Sequence, residues 1–512
     1  MKRLIKNGTI IDGTGAPAFI GDVVVEGDRI AIVSRATREG DVDEVIDATG
    51  RMVVPGFVDS HTHSDAYLVL EPDAPSKITQ GVTTEINGQC GGSIAPRYGE
   101  ARLSSDWATL LGEKLSWRSL AEYREVLAAA KPAVNTIQFI GHNTLRSSVV
   151  GYCGRECTRD ELNAMTRLLE RSLDEGGWGL STGLIYQPGK YSTQEEVVAL
   201  AKATAAKGGY YATHMRSEGD RILEAIDEVI ELVKATGVKA EISHLKTSGK
   251  RNWNKIDAVL EKIEDAMEKG LLLGSDRYPY CAAGTDLDVV LPDWAQEGAA
   301  PAEMERLQDT ETRRRIIEEI NARRRDWSEV MIGGVWCEEN RKYCGKRLSG
   351  TAPGELICDI LERDGCKTGA FFFTMCEENL DKIYLRPWIV PGSDASLRAP
   401  WGPLGADHPH PRAYATMPEF YRRVRKLGFT REETIARMTS VPAKRFGLAG
   451  RGEIVKGAYA DLVVWKEDEF EAKATFVAPH QFTGGVELVM VNGTIPYCGG
   501  KFTGSRGGKF LA

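Results

Sequence analysis

Apolar and polar positions divide the chain into terminal β-like regions and a long alternating middle. In the first 50 residues, short apolar stretches at 4–11, 21–26 and 29–33 are separated by Gly and Asp, and Ala48-Thr49-Gly50 closes the section as a turn. The C-terminal end reads the same way at 460–465 and 486–493, the second stretch running into Asn492-Gly493. Isolated hairpins bury too little surface to stand alone. The two ends are therefore expected to pair as one small composite β-sandwich domain, residues 1–54 with 440–512. Between them, β-like segments at 53–59, 81–87, 135–141, 179–183, 210–214, 239–244, 271–276 and 388–393 alternate with stretches of helical period. One such stretch is 221–236, where Ile222, Ile226, Val229, Ile230 and Val233 recur three and four apart. This alternation predicts an α/β fold, a (β/α)8 TIM barrel over residues 55–439. The gap before the last β segment is too long for one unit. Residues 282–346 are expected to form an inserted subdomain near the barrel mouth, charged and helical over 301–326, and a candidate lid.

Composition narrows the function classes. The chain has 512 residues, 42% hydrophobic and 27% charged, as in ordinary globular proteins. A net charge of −8 lacks the basic footprint that nucleic acid requires. No window approaches the apolar length of a membrane span. The basic start, Met1-Lys2-Arg3, is followed at once by Lys6, Asn7 and Gly8 rather than by an apolar run, so the expected location is the cytoplasm. Ten cysteines, dilute and irregularly spaced, read as thiols rather than as a disulfide framework.

Barrel active sites lie at the C-terminal ends of the strands, so the residues at those ends carry the chemistry. The first strand ends in Asp59-Ser60-His61-Thr62-His63. Alternate strand residues point the same way, which lets His61 and His63 share one metal ion. The fifth strand ends at His214, the sixth at His244 and the eighth at Gly392-Ser393-Asp394. The chain has eight histidines, and four of them fall at these ends, an ordered set that points to a metal site. The third and fourth strands contain no Lys, while Cys90 lies just past the second. A thiolate there is a strong zinc ligand.

The segment Val53-Val54-Pro55-Gly56-Phe57-Val58-Asp59-Ser60-His61-Thr62-His63 resembles the first-strand motif of the amidohydrolase superfamily. Many binuclear members bridge two metals with a carbamylated lysine on strand four, absent here. With Cys90 in its place the chain is similar, over nearly its whole length, to the N-acyl-D-amino-acid deacylases (D-aminoacylases). Further likeness lies in Gly141-His142-Asn143-Thr144-Leu145-Arg146, Leu180-Ser181-Thr182-Gly183-Leu184-Ile185-Tyr186, His214-Met215-Arg216, Ser243-His244-Leu245-Lys246 and His410-Pro411-Arg412-Ala413-Tyr414.

The resemblance implies one tightly bound Zn2+ on Cys90, His214 and His244, and a second, weaker site on His61, His63 and Asp394. It also implies hydrolysis of the amide of a small-molecule N-acyl-D-amino acid. Asp394 would carry the proton from water to the leaving amine. Tyr186, Lys246 and Arg412 are the implied partners of the substrate carboxylate. His142 has two readings, contact with substrate or oxyanion and a structural hydrogen bond. Restriction to D-glutamate or D-aspartate substrates would need one more cation, for which Lys250 and Arg251 are candidates. Two rivals are a cyclic amidase of the dihydroorotase or hydantoinase type, disfavoured by the missing lysine, and a catalytically silent relative, disfavoured by the full ligand set. Oligomeric state is not legible in the sequence.

Overall fold

The computed structural model describes residues 1–37, 40, 42–103 and 105–512. Its centre is a sheet of eight parallel strands whose neighbours follow chain order: β1 Phe57–Asp59, β2 Val82–Asn87, β3 Asn135–Gly141, β4 Gly179–Gly183, β5 Tyr210–His214, β6 Lys239–Ile242, β7 Leu273–Arg277 and β8 Ile389–Pro391. The sheet closes beyond the formal strand ends. Ser60 N–H donates to Pro391 O at 3.2 Å and Asp394 N–H to His61 O at 2.8 Å, and Thr62 bridges Ala395 in parallel. The expected (β/α)8 barrel is thus the observed one.

Inside the barrel, Val58, Ile86, Ile137, Phe139 and Ala212 form a cluster together with Phe446 and Leu448. The outer helices bury apolar stripes as their spacing requires. Ile222–Thr236 buries Ile222, Ile226, Val229, Ile230 and Val233, and ends at Gly237 with φ of 67°.

The termini pair directly. Met52–Pro55 lies between Lys2–Ile10 and Leu462–Trp465 in a nine-stranded sheet. Alternate residues serve two cores. Leu462, Val464, Leu488 and Met490 face the sheet's own cluster, while Val463, Trp465, Val489 and Val491 join the large cluster shared with the barrel helices.

One expected strand, 53–59, is in fact two. It breaks at Gly56, where a Cβ would lie 2.1 Å from Thr83 Oγ1, and the halves belong to different sheets. The inserted segment between β7 and β8 has its own core, from Leu287 to Phe372. It continues past residue 346 because Gly369–Phe372 is the central strand of its three-stranded sheet, between Ala283–Asp286 and Val330–Ile332. Its charged helical part comprises Ala299–Gln308 and Thr310–Ala322, divided at Asp309, whose side chain caps the second helix by accepting from Thr312 N–H at 2.9 Å. All ten cysteines are free thiols. Among the described residues, no helix is long and apolar enough to cross a membrane.

Candidate metal centre and active site

Six side chains meet at the C-terminal mouth in two groups that share Cys90. His61, His63, Cys90 and Asp394 form one; Cys90, His214 and His244 form the other, and within each group the ligand atoms lie within 4.8 Å of one another. The β1–β8 seam places the His61/His63 pair beside Asp394, whose Oδ1 is 3.4 Å from His61 Nε2 and 3.1 Å from His63 Nε2. Cys90 Sγ stands 3.3 Å from both His61 Nε2 and His244 Nε2. The rings of His214 and His244 are 4.5 Å apart.

His214 is the last residue of β5, and the other five ligands sit just past the ends of β1, β2, β6 and β8. Strand β6 stops at Ile242 rather than reaching His244, and β8 stops at Pro391 rather than Ser393. Cys90, His244 and Asp394 have φ of 54°, 37° and 49°, a left-handed conformation that side chains seldom adopt and that collects at functional sites. The Cys90 turn fits because a Cβ on Gly183 of β4 would lie 2.0 Å from Cys90 O.

The electrostatics favour ionised ligands. Burial works against charge on Cys90, but the facing His61 and His244 imidazoles hold its thiol well below the usual range. Burial likewise opposes ionised Asp394, but Arg412, whose Nη1 is 2.8 Å from Asp394 Oδ2, and the neighbouring imidazoles hold its carboxyl well below the ordinary value.

The donor set fits zinc. One thiol and two imidazoles converge, and three protein ligands with a free fourth position suit a catalytic zinc. His214 is 5% exposed, yet neither of its ring nitrogens has a hydrogen-bond partner among the described residues. An orphaned buried imidazole costs free energy unless something binds it, and a metal ion on Nε2 or Nδ1 removes that cost.

Three residues not anticipated from sequence orient these ligands or line the mouth. Buried Asp276, in β7, has Oδ2 3.2 Å from His61 Nδ1 and accepts His244 N–H at Oδ1 at 3.1 Å. It thereby fixes the His61 ring and leaves Nε2 turned toward Cys90 and Asp394. Glu218 Oε1 lies 2.9 Å from His244 Nδ1 and 2.5 Å from Lys246 Nζ. Tyr278 is fully buried, with Arg412 4.5 Å and Lys246 5.8 Å from its ring centre, and its hydroxyl has no hydrogen-bond partner among the described residues. The only sequence hint was that Asp276 ends the seventh expected strand, 271–276, and that Tyr278 lies just beyond it.

Lys246 and Arg412 are both at the mouth, each engaged with a protein carboxylate, Glu218 and Asp394 respectively. Tyr186 packs edge-on against His214 at 5.0 Å and its hydroxyl is 3.3 Å from Thr285 Oγ1 of the inserted segment. Arg412 Nη2 and His410 Nε2 donate to Gly284 O and Ala282 O beside it. His142 is not brought to the ligands. It opens the helix His142–Val149 and its Nε2 is 2.7 Å from Glu196, which also pairs with Arg146, while its buried Nδ1 has no hydrogen-bond partner among the described residues. Arg251 pairs with exposed Asp220.

Comparison with known proteins identifies the family. The amidohydrolase family model matches residues 44–497. A D-aminoacylase of Alcaligenes xylosoxydans xylosoxydans is 34% identical, over 99% of this chain and 97% of its own length. A D-aminoacylase structure described for its binuclear metal centre, with one-metal activation and second-metal attenuation, superposes with a TM-score of 0.84 at 34% identity, covering 99% of both chains. N-acyl-D-glutamate deacylase from Bordetella bronchiseptica, solved with zinc and a phosphonate mimic of the tetrahedral intermediate, gives 0.83 at 30% identity, again over 99% of both chains. The chain belongs to the amidohydrolase family, in its D-aminoacylase branch.

Proposed function

We propose that the protein hydrolyses the amide bond of N-acyl-D-amino acids, giving a carboxylate and a free D-amino acid. The observation that carries this reading is the convergence of Cys90, His214 and His244 at the barrel mouth, with Cys90 also in the His61, His63 and Asp394 group. Zinc held by Cys90, His214 and His244 would supply an activated nucleophile and a Lewis acid for the amide carbonyl. The weaker second site falls to His61, His63 and Asp394.

The remaining steps belong to the chain's own groups. Asp394, held ionised by Arg412, takes the proton of the attacking water on its carboxylate and passes it to the leaving nitrogen. Lys246, Arg412 and Tyr186 bind the carboxylate of the substrate, and we add to them the hydroxyl of Tyr278, which has no hydrogen-bond partner among the described residues. Since Lys246 and Arg412 already face Glu218 and Asp394, the substrate carboxylate shares these cations and does not bring them into charge balance alone. The D configuration comes from the relatives. A cyclic-amidase reading lacks its strand-four lysine, for β4 reads Gly-Leu-Ser-Thr-Gly.

The test is free-amine release from matched N-acetyl-D- and N-acetyl-L-amino acids with methionine, leucine, glutamate and aspartate side chains. Release from D substrates only, abolished by a chelator and restored by zinc, is expected. Release from L substrates alone, or from none, overturns the proposal.

A further inference from the structure

One buried cation has no part in the chemistry above. Lys77, in the short helix Pro75–Ile78, is 0% exposed. Its Nζ reaches Asp59 Oδ2 at 2.8 Å, Ser393 Oγ at 3.0 Å, Ala395 O at 3.1 Å and Glu85 Oε1 at 3.2 Å. A buried ammonium persists only when its charge and protons are matched in this way.

The identity of the acceptors gives the contacts a direction. Asp59 ends β1, just before the His61/His63 pair, and its other oxygen accepts Ser393 N–H at 2.7 Å. Ser393 and Ala395 flank Asp394, the residue with φ of 49°. A left-handed backbone at a residue with a side chain persists where its surroundings over-determine it. Here one ammonium holds the residue on each side of the strained position and, through Asp59, the strand that carries the two facing imidazoles.

We infer that Lys77 is a positioning residue, which fixes the backbone on both sides of Asp394 and so sets its carboxylate against His61 and His63. The inference rests on the proton role given to Asp394 in the proposed function. A purely charge-balancing lysine would affect stability alone; a positioning lysine affects turnover at unchanged substrate affinity.

The experiment compares the full-length zinc-loaded chain with Lys77→Met, with Lys77→Met/Asp59→Asn/Glu85→Gln, which removes the carboxylates left unpaired, and with Ser393→Ala, which deletes the hydroxyl's contact with Lys77 and its longer ones to His61 O at 3.4 Å and Ala395 O at 3.5 Å, and keeps the ion pairs. Misplacement of a reacting group by about 1 Å costs about 100-fold. A folded Lys77 variant is expected to lose about 100-fold in kcat with KM within about threefold. The cobalt-substituted chain should keep its Cys90 thiolate absorption band. Ser393→Ala should lose about tenfold in kcat at unchanged melting temperature, and parental kcat in it overturns the inference even if neither Lys77 variant folds. A folded triple variant, or Ser393→Ala, with parental kcat overturns the inference. So does loss of the cobalt band together with activity, which would place the defect in the whole mouth. Asp394→Asn is measured in parallel: parental kcat there removes the proton role itself, and full loss there with parental kcat in the Lys77 and Ser393 variants removes only the role of Lys77.

Discussion

Replacing Asp276 with Asn isolates the orientation of one ligand. The carboxylate has Oδ1 toward His244 N–H at 3.1 Å and Oδ2 toward His61 Nδ1 at 3.2 Å. The amide keeps the volume, and its oxygen still serves His244 N–H. Its NH2 then faces His61 Nδ1 and can only donate. The His61 proton must move to Nε2, the nitrogen that faces Cys90 at 3.3 Å and Asp394 at 3.4 Å, and that nitrogen no longer offers a lone pair to a metal. Loss of such an outer partner costs about 10–100-fold in metal affinity, or about 1.4–2.7 kcal/mol. The cost should fall on the His61, His63 and Asp394 site and spare Cys90, His214 and His244. Zinc titration against a chromophoric chelator resolves the two sites. In Asp276→Ala, where the His244 contact is lost as well, both should weaken. Parental affinity at both sites in Asp276→Asn would refute the reasoning.

Two further outcomes follow from packing and charge. Glu196 is buried against His142 and Arg146; burial raises its pKa, but these two partners bring it down from 4.5 to about 2. Because the folded value is the lower one, its stabilisation, about 3 kcal/mol, is complete above the unfolded value and disappears as pH falls from about 4.5 toward 2. Urea midpoints should fall over that window for the parent and much less for Glu196→Gln; parallel profiles would refute the assignment. Trp465, 0% exposed, packs edge-on against Phe470 at 4.1 Å, Tyr421 at 4.9 Å and Phe57 at 6.1 Å, where the terminal sheet meets the barrel. Trp465→Ala should lose about 3–5 kcal/mol in denaturant unfolding, and a loss below about 1 kcal/mol would show that this junction does not carry the sheet.

The sequence by itself determined the periodic features. Strands β3, β4 and β5 begin and end at the expected residues, and Ile222–Thr236 is the expected helix, because each is set locally by which face of the segment is kept from water. The His61/His63 pair was legible for the same reason, since a period of two puts both rings on one side. So was the metal chemistry, because thiol and imidazole at strand ends have few other uses in combination. Only the tertiary structure decided the rest. It separated Met52–Pro55 from β1 at Gly56, where neighbouring Thr83 leaves no room for a Cβ, and it carried the inserted core to Phe372 by pairing strands far apart in the chain. It gave His142 to Glu196, and it found Asp276, Glu218 and Lys77, which no local pattern distinguishes from other charged residues. The reason is distance along the chain. His63 and Asp394 are 331 residues apart, and their contact exists only once β1 and β8 close the barrel. Periodicity records how each segment meets water, whereas a side chain's partners are fixed only when separate segments meet.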